Sequence, residues 1–248
     1  MYKSLLELLL PTLISRWHFL AFTGGALLAP PTLFGKDEVP SLLDHILLGS
    51  QDLQAGIDFV ESRTGVRATF GGVHPGRGTQ NALLSLGERK YLEIIAPDPA
   101  QPETKNPLAP HLHTLSEPAL VGWAEHPGEL TAFAKKLRDA GIAFEGPTPG
   151  SRKRPDGRLL QWKTLNLEDD ASRLLPFFIE WSADSPHPSA DAPIGLRLVR
   201  FELATPQPEA LAKKAALLTL DPPIAKAEHP HLRASIAGPK GNLELGTS

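Results

Sequence analysis

Leu42-Leu43-Asp44-His45-Ile46-Leu47-Leu48 is a strand-length apolar run broken only by an adjacent aspartate and histidine. Just downstream, Leu53, Ile57 and Val60 recur at i, i+4 and i+7, the spacing of one helix face. Further strands are expected around residues 68–73, 82–86 and 91–96. The polar, glycine-led Gly87-Glu88-Arg89-Lys90 would be the hairpin between the last two. The unit is therefore strand, helix, then three strands.

The same order returns twice. A strand over residues 119–125 precedes a helix whose Leu130, Phe133, Ala134 and Leu137 form one stripe, stopped by Gly141. Strands at residues 159–165 and 175–181 complete that pass. A third reads as a strand at 196–204, a helix at 209–220 with Leu211, Ala215 and Leu218 on one face, and short strands near 232–237 and 242–245. Each pass ends on a strand with a glutamate among apolar residues: Tyr91-Leu92-Glu93-Ile94-Ile95, Phe177-Phe178-Ile179-Glu180-Trp181 and Asn242-Leu243-Glu244-Leu245. Three modules are thus expected, at about residues 41–100, 118–183 and 194–248, within one domain over residues 40–248.

Composition narrows the chemistry. A net charge of −3, from 25 basic and 28 acidic residues, leaves no surplus to neutralise phosphates, so nucleic acid is not an expected partner. With no cysteine, disulfides, thiolate metal sites and cysteine nucleophiles are excluded, and any metal must be held by His, Asp or Glu. The 25 prolines lie between hydrophobic runs and mark turns. No nucleotide loop, Ser-His-Asp arrangement or His-Glu-x-x-His segment is present, and Gly71, Gly72, Gly76 and Gly78 lack dinucleotide-binding spacing.

Residues 1–39 read as an extension outside that domain. Ser15-Arg16-Trp17-His18-Phe19-Leu20 leads into an apolar run over residues 19–29 that Pro30 and Pro31 close. The run is shorter than the roughly 20 residues of a membrane span, so no integral membrane domain is expected. Its length suits a signal-peptide core of about 7–15 residues. The lead-in resembles a twin-arginine export motif with Trp17 in place of one arginine, so cytoplasmic and exported (periplasmic) locations both stay open.

Leu43-Asp44-His45-Ile46 on a first strand and Tyr91-Leu92-Glu93-Ile94 on a fourth resemble the two metal-ligand strands of a glyoxalase-fold module. The segment over residues 72–83, Gly122-Trp123-Ala124, residues 151–157 and Pro176-Phe177-Phe178-Ile179-Glu180-Trp181 resemble a bacterial glyoxalase-like domain subgroup of the vicinal oxygen chelate superfamily. The resemblance runs from Ser41 to the end of the chain. It implies an α+β fold of repeated βαβββ modules, with helices outside mixed, half-barrel sheets around a small-molecule site. It constrains the reaction poorly, since the superfamily includes lyases, isomerases, ring-cleaving dioxygenases, epoxide-opening transferases and proteins that only sequester a ligand.

Strand parity places His45 with Leu43 and Leu47, and Glu93 with Tyr91 and Ile95. Carboxylates among large apolar neighbours need a compensating metal, cation or hydrogen-bond donors. One reading makes His45, Glu93 and Glu180 ligands of a divalent cation (Mn, Fe, Zn, Co or Ni), with Glu93 and Glu180 also the catalytic carboxylates. The plainer reading pairs each glutamate with a cation on an adjacent strand, such as Lys163 or Arg233. Against a complete site, the second-module counterpart of His45 is Gly122. His74, Arg77, Thr79 and Asn81 in the glycine-rich connection, and Arg152 and Arg154 before the Pro155-Asp156-Gly157 turn, are candidates for holding a substrate, the arginines for an anionic group. Trp123, Trp162 and Trp181 are expected to wall the pocket or the core. A metal-dependent lyase, isomerase or dioxygenase of a vicinal-oxygen substrate and a non-catalytic ligand-binding protein both fit these residues. The expected partner is a small molecule, with a homodimer left open.

Overall fold

The computed structural model describes residues 39–102, 106, 108–168 and 173–247. The export-signal and extension expectations fall almost entirely outside these residues. All described residues lie in one of two compact units, residues 35–248. Among them no helix is long and apolar enough to cross a membrane.

The first module runs β1 (Leu43–Gly49), α1 (Leu53–Thr64), β2 (Thr69–His74), β3 (Thr79–Gly87) and β4 (Lys90–Pro97). After a short helix α2 (Leu108–Leu112), the second runs β5 (Ala119–Glu125), α3 (Leu130–Asp139), β6 (Phe144–Lys153), β7 (Leu159–Leu167) and β8 (Phe177–Trp181). Their strands form one eight-stranded sheet in the order β2-β3-β4-β1-β5-β8-β7-β6. Within each module the first strand pairs in parallel with the last, and the modules join where β1 meets β5 antiparallel. The result is the expected curled half-barrel of repeated βαβββ units.

Local signals explain the helices. Asp52 caps α1 by accepting from the Ala55 N–H, and Gly65 ends it at φ 81°, a left-handed turn that glycine adopts without a Cβ penalty. The stripe Leu130, Phe133, Ala134 and Leu137 of α3 is buried against Leu165 and Phe178 of the sheet.

The third module keeps the order strand, helix, three strands: β9 (Arg197–Thr205), α4 (Pro208–Leu217), β10 (Ile224–Lys226), β11 (His231–Gly238) and β12 (Gly241–Gly246). Its pairing differs. In its separate sheet β10-β9-β11-β12, the first strand lies between a parallel β10 and an antiparallel β11. This sheet packs Phe201, Leu203, Ile236 and Leu243 into the core beneath β1, β4 and α1. The third module therefore backs the half-barrel instead of extending it.

Two strands escape the sequence reading. Strand β6 carries Gly146, Pro147, Pro149 and Gly150, which read as turn residues, yet proline is tolerated on an edge strand. Strand β10 is only three residues long. The edges β2 and β6 also approach each other: the Arg152 guanidinium donates to the Gly71 carbonyl, and a Cβ on Gly72 would fall 2.7 Å from the Lys153 carbonyl oxygen. Gly71-Gly72 is thus a close-approach seam between the two ends of the sheet.

Candidate active site

The inner face of the half-barrel encloses a cavity of about 270 Å³. Strand alternation delivers its walls: His45 and Leu47 from β1, Tyr91, Glu93 and Ile95 from β4, and Phe177, Ile179 and Trp181 from β8. His45 and Glu93 meet, with His45 Nε2 3.4 Å from Glu93 Oε2. Of the expected substrate residues, His74, Arg77, Asn81 and Arg152 line this cavity, as do Thr79, Trp162 and Trp181.

Glu180 does not join them. Having the opposite parity to Ile179 and Trp181, it points to the helix side, where Oε2 accepts from the Leu130 N–H at 2.6 Å and Oε1 lies 3.6 Å from Lys163 Nζ. The expectation that it shares the cavity as ligand and catalytic group is corrected. Its charge is spent on the positive end of α3 and on the lysine that the plainer reading named. Arg154 is corrected likewise: it pairs with Asp191 at 2.6 Å and with Asp156 at 3.4 Å, away from the cavity. Trp123 is fully buried, donates to the Leu174 carbonyl at 2.8 Å and packs on Phe201, so it braces the core and stays off the wall around His45.

Asp44 organises the polar end of the site. This buried carboxylate lies 2.7 Å from His45 Nδ1 and 3.1 Å from His187 Nε2, and accepts from Trp181 Nε1 at 3.1 Å. Burial alone would raise its pKa, but the hydrogen bonds from His187 and His45 outweigh it and hold the group well below the usual carboxylate range. An ionised Asp44 accepts from His45 Nδ1, which leaves His45 Nε2 facing Glu93. Nothing in the local sequence pattern marks His187, which arrives from the loop between the second and third modules.

Glu93 is held from its other side. Asn81 Nδ2 donates to Oε1 at 2.7 Å and lies 3.3 Å from His74 Nε2. That contact uses the His74 Nε2 lone pair, while Nδ1 meets Thr79 Oγ1 at 2.9 Å. Burial, partly opposed by the Glu93 charge, lowers the His74 pKa to about 4, so this imidazole is neutral at pH 7. Tyr91 stacks on His45 with centroids 4.4 Å apart, and burial together with the Asp44 and Glu93 charges raises its phenol well above the ordinary value. It remains a protonated donor.

Arg152 supplies the positive charge. It is 3% exposed, and burial lowers its pKa while the Glu93 charge raises it. Its hydrogen bond to Gly71 uses one of five donors, and among the described residues no carboxylate lies within ion-pair distance of it.

The donor set does not suit a divalent cation. Strand register pairs Leu47 with Glu93 and, in the second module, Ala124 with Phe177, so the counterparts of His45 and Glu93 are Gly122 and Phe177. With Glu180 turned away, among the described residues no three His, Asp or Glu side chains form a group that could hold an ion.

A model of the glyoxalase-like domain matches residues 43–219, more than half of the sequence. The chain belongs to that family. A hypothetical protein from Staphylococcus aureus is similar to it in structure, with a TM-score of 0.56 and 15% identity, over 83% of this chain and 85% of that one. Methylmalonyl-CoA epimerase from Mycobacterium tuberculosis gives a TM-score of 0.42 and 20% identity, over 60% of this chain and 89% of that one. A Streptomyces coelicolor methylmalonyl-CoA epimerase variant in complex with 2-nitronate-propionyl-CoA gives 0.43 and 19%, over 57% and 97%. No curated protein matches the sequence.

Proposed function

We propose that this glyoxalase-like protein binds a small carboxylate with an adjacent carbonyl and catalyses proton transfer on it, as an isomerase or lyase. The observation that carries this reading is the line Asp44–His45–Glu93 ending in the cavity beside Arg152, which has no carboxylate within ion-pair distance among the described residues. With Nδ1 held at Asp44, His45 Nε2 faces Glu93 Oε2 at 3.4 Å, a gap across which the two groups can share one proton. The pair can therefore release and recover a proton. Glu93 takes one from the ligand carbon, with Asn81 fixing its orientation, and His45 with Asp44 behind it absorbs the change in charge.

Arg152 offers its remaining donors to the ligand carboxylate, and Tyr91, as a protonated phenol, is an available donor for the carbonyl oxygen as charge develops there. Pyruvate and 2-oxobutyrate join a carboxylate, a carbonyl and an acidic C–H, so they probe all three functions. In D₂O the protein should accelerate exchange at C3, read by proton NMR. Glu93→Gln should lose exchange but keep binding, and Arg152→Gln should lose binding. Exchange that is equal in wild type and Glu93→Gln would overturn the base assignment, and binding without exchange would leave a sequestering protein. Stoichiometric Mn, Fe, Zn, Co or Ni, lost in both His45→Ala and Glu93→Gln, would replace the proton in the gap by a metal.

A further inference from the structure

His187 does not line the cavity, yet it makes the second imidazole contact to Asp44, with Nε2 3.1 Å from Oδ2. The direction of that hydrogen bond is fixed from the far side of the ring. His187 Nδ1 accepts from the Ser189 N–H at 3.3 Å, where His187 caps a short 3₁₀ turn over Pro188–Ala190. A backbone N–H only donates, so Nδ1 holds the lone pair and the ring proton sits on Nε2, aimed at Asp44. Trp181 Nε1 lies 3.1 Å from the same oxygen, and His45 Nδ1 meets the other, Oδ1, at 2.7 Å.

The segment that delivers His187 is tied to both modules of the half-barrel. Toward the second, Ser185 Oγ accepts from the Gln161 N–H at 2.8 Å, and Asp191 pairs with Arg154 at 2.6 Å. Toward the first, the Pro193 carbonyl accepts from the Ser85 N–H at 2.9 Å, and Ala192 is buried with Leu83 and Tyr91. The linker to the third module is thus a strap fastened on either side of His187. We propose that His187 is a positioning residue for the proton transfer: from outside the cavity it holds Asp44 as an oriented anion, and through Asp44 it fixes the His45 ring opposite Glu93. The inference rests on the proton-transfer reading and adds a residue that does not line the ligand cavity. Removing the His187 N–H leaves the buried charge of Asp44 less compensated and draws the proton shared with His45 Nδ1 toward the carboxylate. Arg152 and the ligand pocket stay as they are, so turnover should suffer and binding should not.

The test compares the full chain with His187→Phe and His187→Gln. Phenylalanine keeps a flat ring beside Tyr91 and Trp181 and deletes the donor, whereas the glutamine amide donates again. In C3 exchange of pyruvate in D₂O, His187→Phe should lower kcat roughly ten- to a hundredfold, the worth of one hydrogen bond to a charged group, with KM within about twofold, and His187→Gln should recover most of the loss. Nitrogen NMR of histidine-labelled protein without ligand reads the same line independently of activity: the His45 Nδ1 signal should move in His187→Phe and return in His187→Gln. In wild type the His187 proton should be found on Nε2, and a proton on Nδ1 alone overturns the proposal even if neither variant folds. An unmoved His45 signal, an unchanged kcat or a rise confined to KM in folded His187→Phe overturns the positioning role and leaves proton transfer standing. No exchange by wild type overturns proton transfer, and the role of His187 in it, whatever the nitrogen signals show.

Discussion

Replacing Glu125 by Gln should stabilise this protein at alkaline pH and leave it almost unchanged at pH 5. Glu125 ends β5 opposite Leu43, is 0% exposed, and among the described residues has no hydrogen-bond partner for either carboxyl oxygen. Burial, with the Asp221 charge adding to it, pushes its pKa from 4.5 up to about 8. Between those values the folded chain keeps a proton that the unfolded chain has lost, so stability falls as pH rises through the window and levels off above it. A tenfold change in proton affinity is worth about 1.4 kcal/mol. The full displacement therefore bounds the loss at about 5 kcal/mol, and water penetration into the opened site reduces the expected loss to about 2–3 kcal/mol. Glu125→Gln keeps the shape and polarity of the protonated acid and removes its ionisation. Urea denaturation at pH 5 and pH 8.5 should show the variant within about 0.5 kcal/mol of wild type at the lower pH and about 2–3 kcal/mol more stable at the higher. Other titrating groups cancel in the difference between the two proteins. An equal difference at both pH values would refute the reasoning, because it would mean that Glu125 is already ionised, or already partnered, in the folded chain.

Asp44→Asn replaces a buried carboxylate that faces two histidines and Trp181. It should cost about 3–5 kcal/mol in denaturation experiments and abolish C3 exchange through loss of the His45 tautomer. Gly71→Ala places a Cβ against Asn81 Oδ1 and Arg152 Nη1, so it should destabilise by about 1–3 kcal/mol and weaken pyruvate binding at the same time. Glu180→Gln removes a charge from the start of α3 and should lower stability by about 0.5–2 kcal/mol without changing pyruvate affinity, whereas loss of pyruvate or metal binding would return Glu180 to the site.

The first two modules are legible because hydrophobic period and turn chemistry agree in them. Leu53, Ile57 and Val60 are buried at helical spacing, and alternation groups His45 with Leu47 and Glu93 with Tyr91 and Ile95, two faces that the β1–β4 register then brings together. What escaped is what local pattern does not encode. The pairing order of the third module depends on long-range contacts, and β6 is punctuated by prolines that only an edge position tolerates. Glu180 looked like Glu93 by its apolar neighbours, but its parity relative to Ile179 and Trp181 puts it under the sheet. His187 belongs to the site only through its contact with Asp44, across 143 positions of chain.

The two joined modules have divided the work of the cavity. Where the first presents His45 and Glu93, the second presents Gly122 and Phe177, and its polar groups in the cavity come instead from Arg152, Thr164 and Asn166. The buried carboxylates are met by donors: Asp44 accepts from His45, His187 and Trp181, and Glu93 accepts from Asn81 with the Arg152 charge acting on it from farther off.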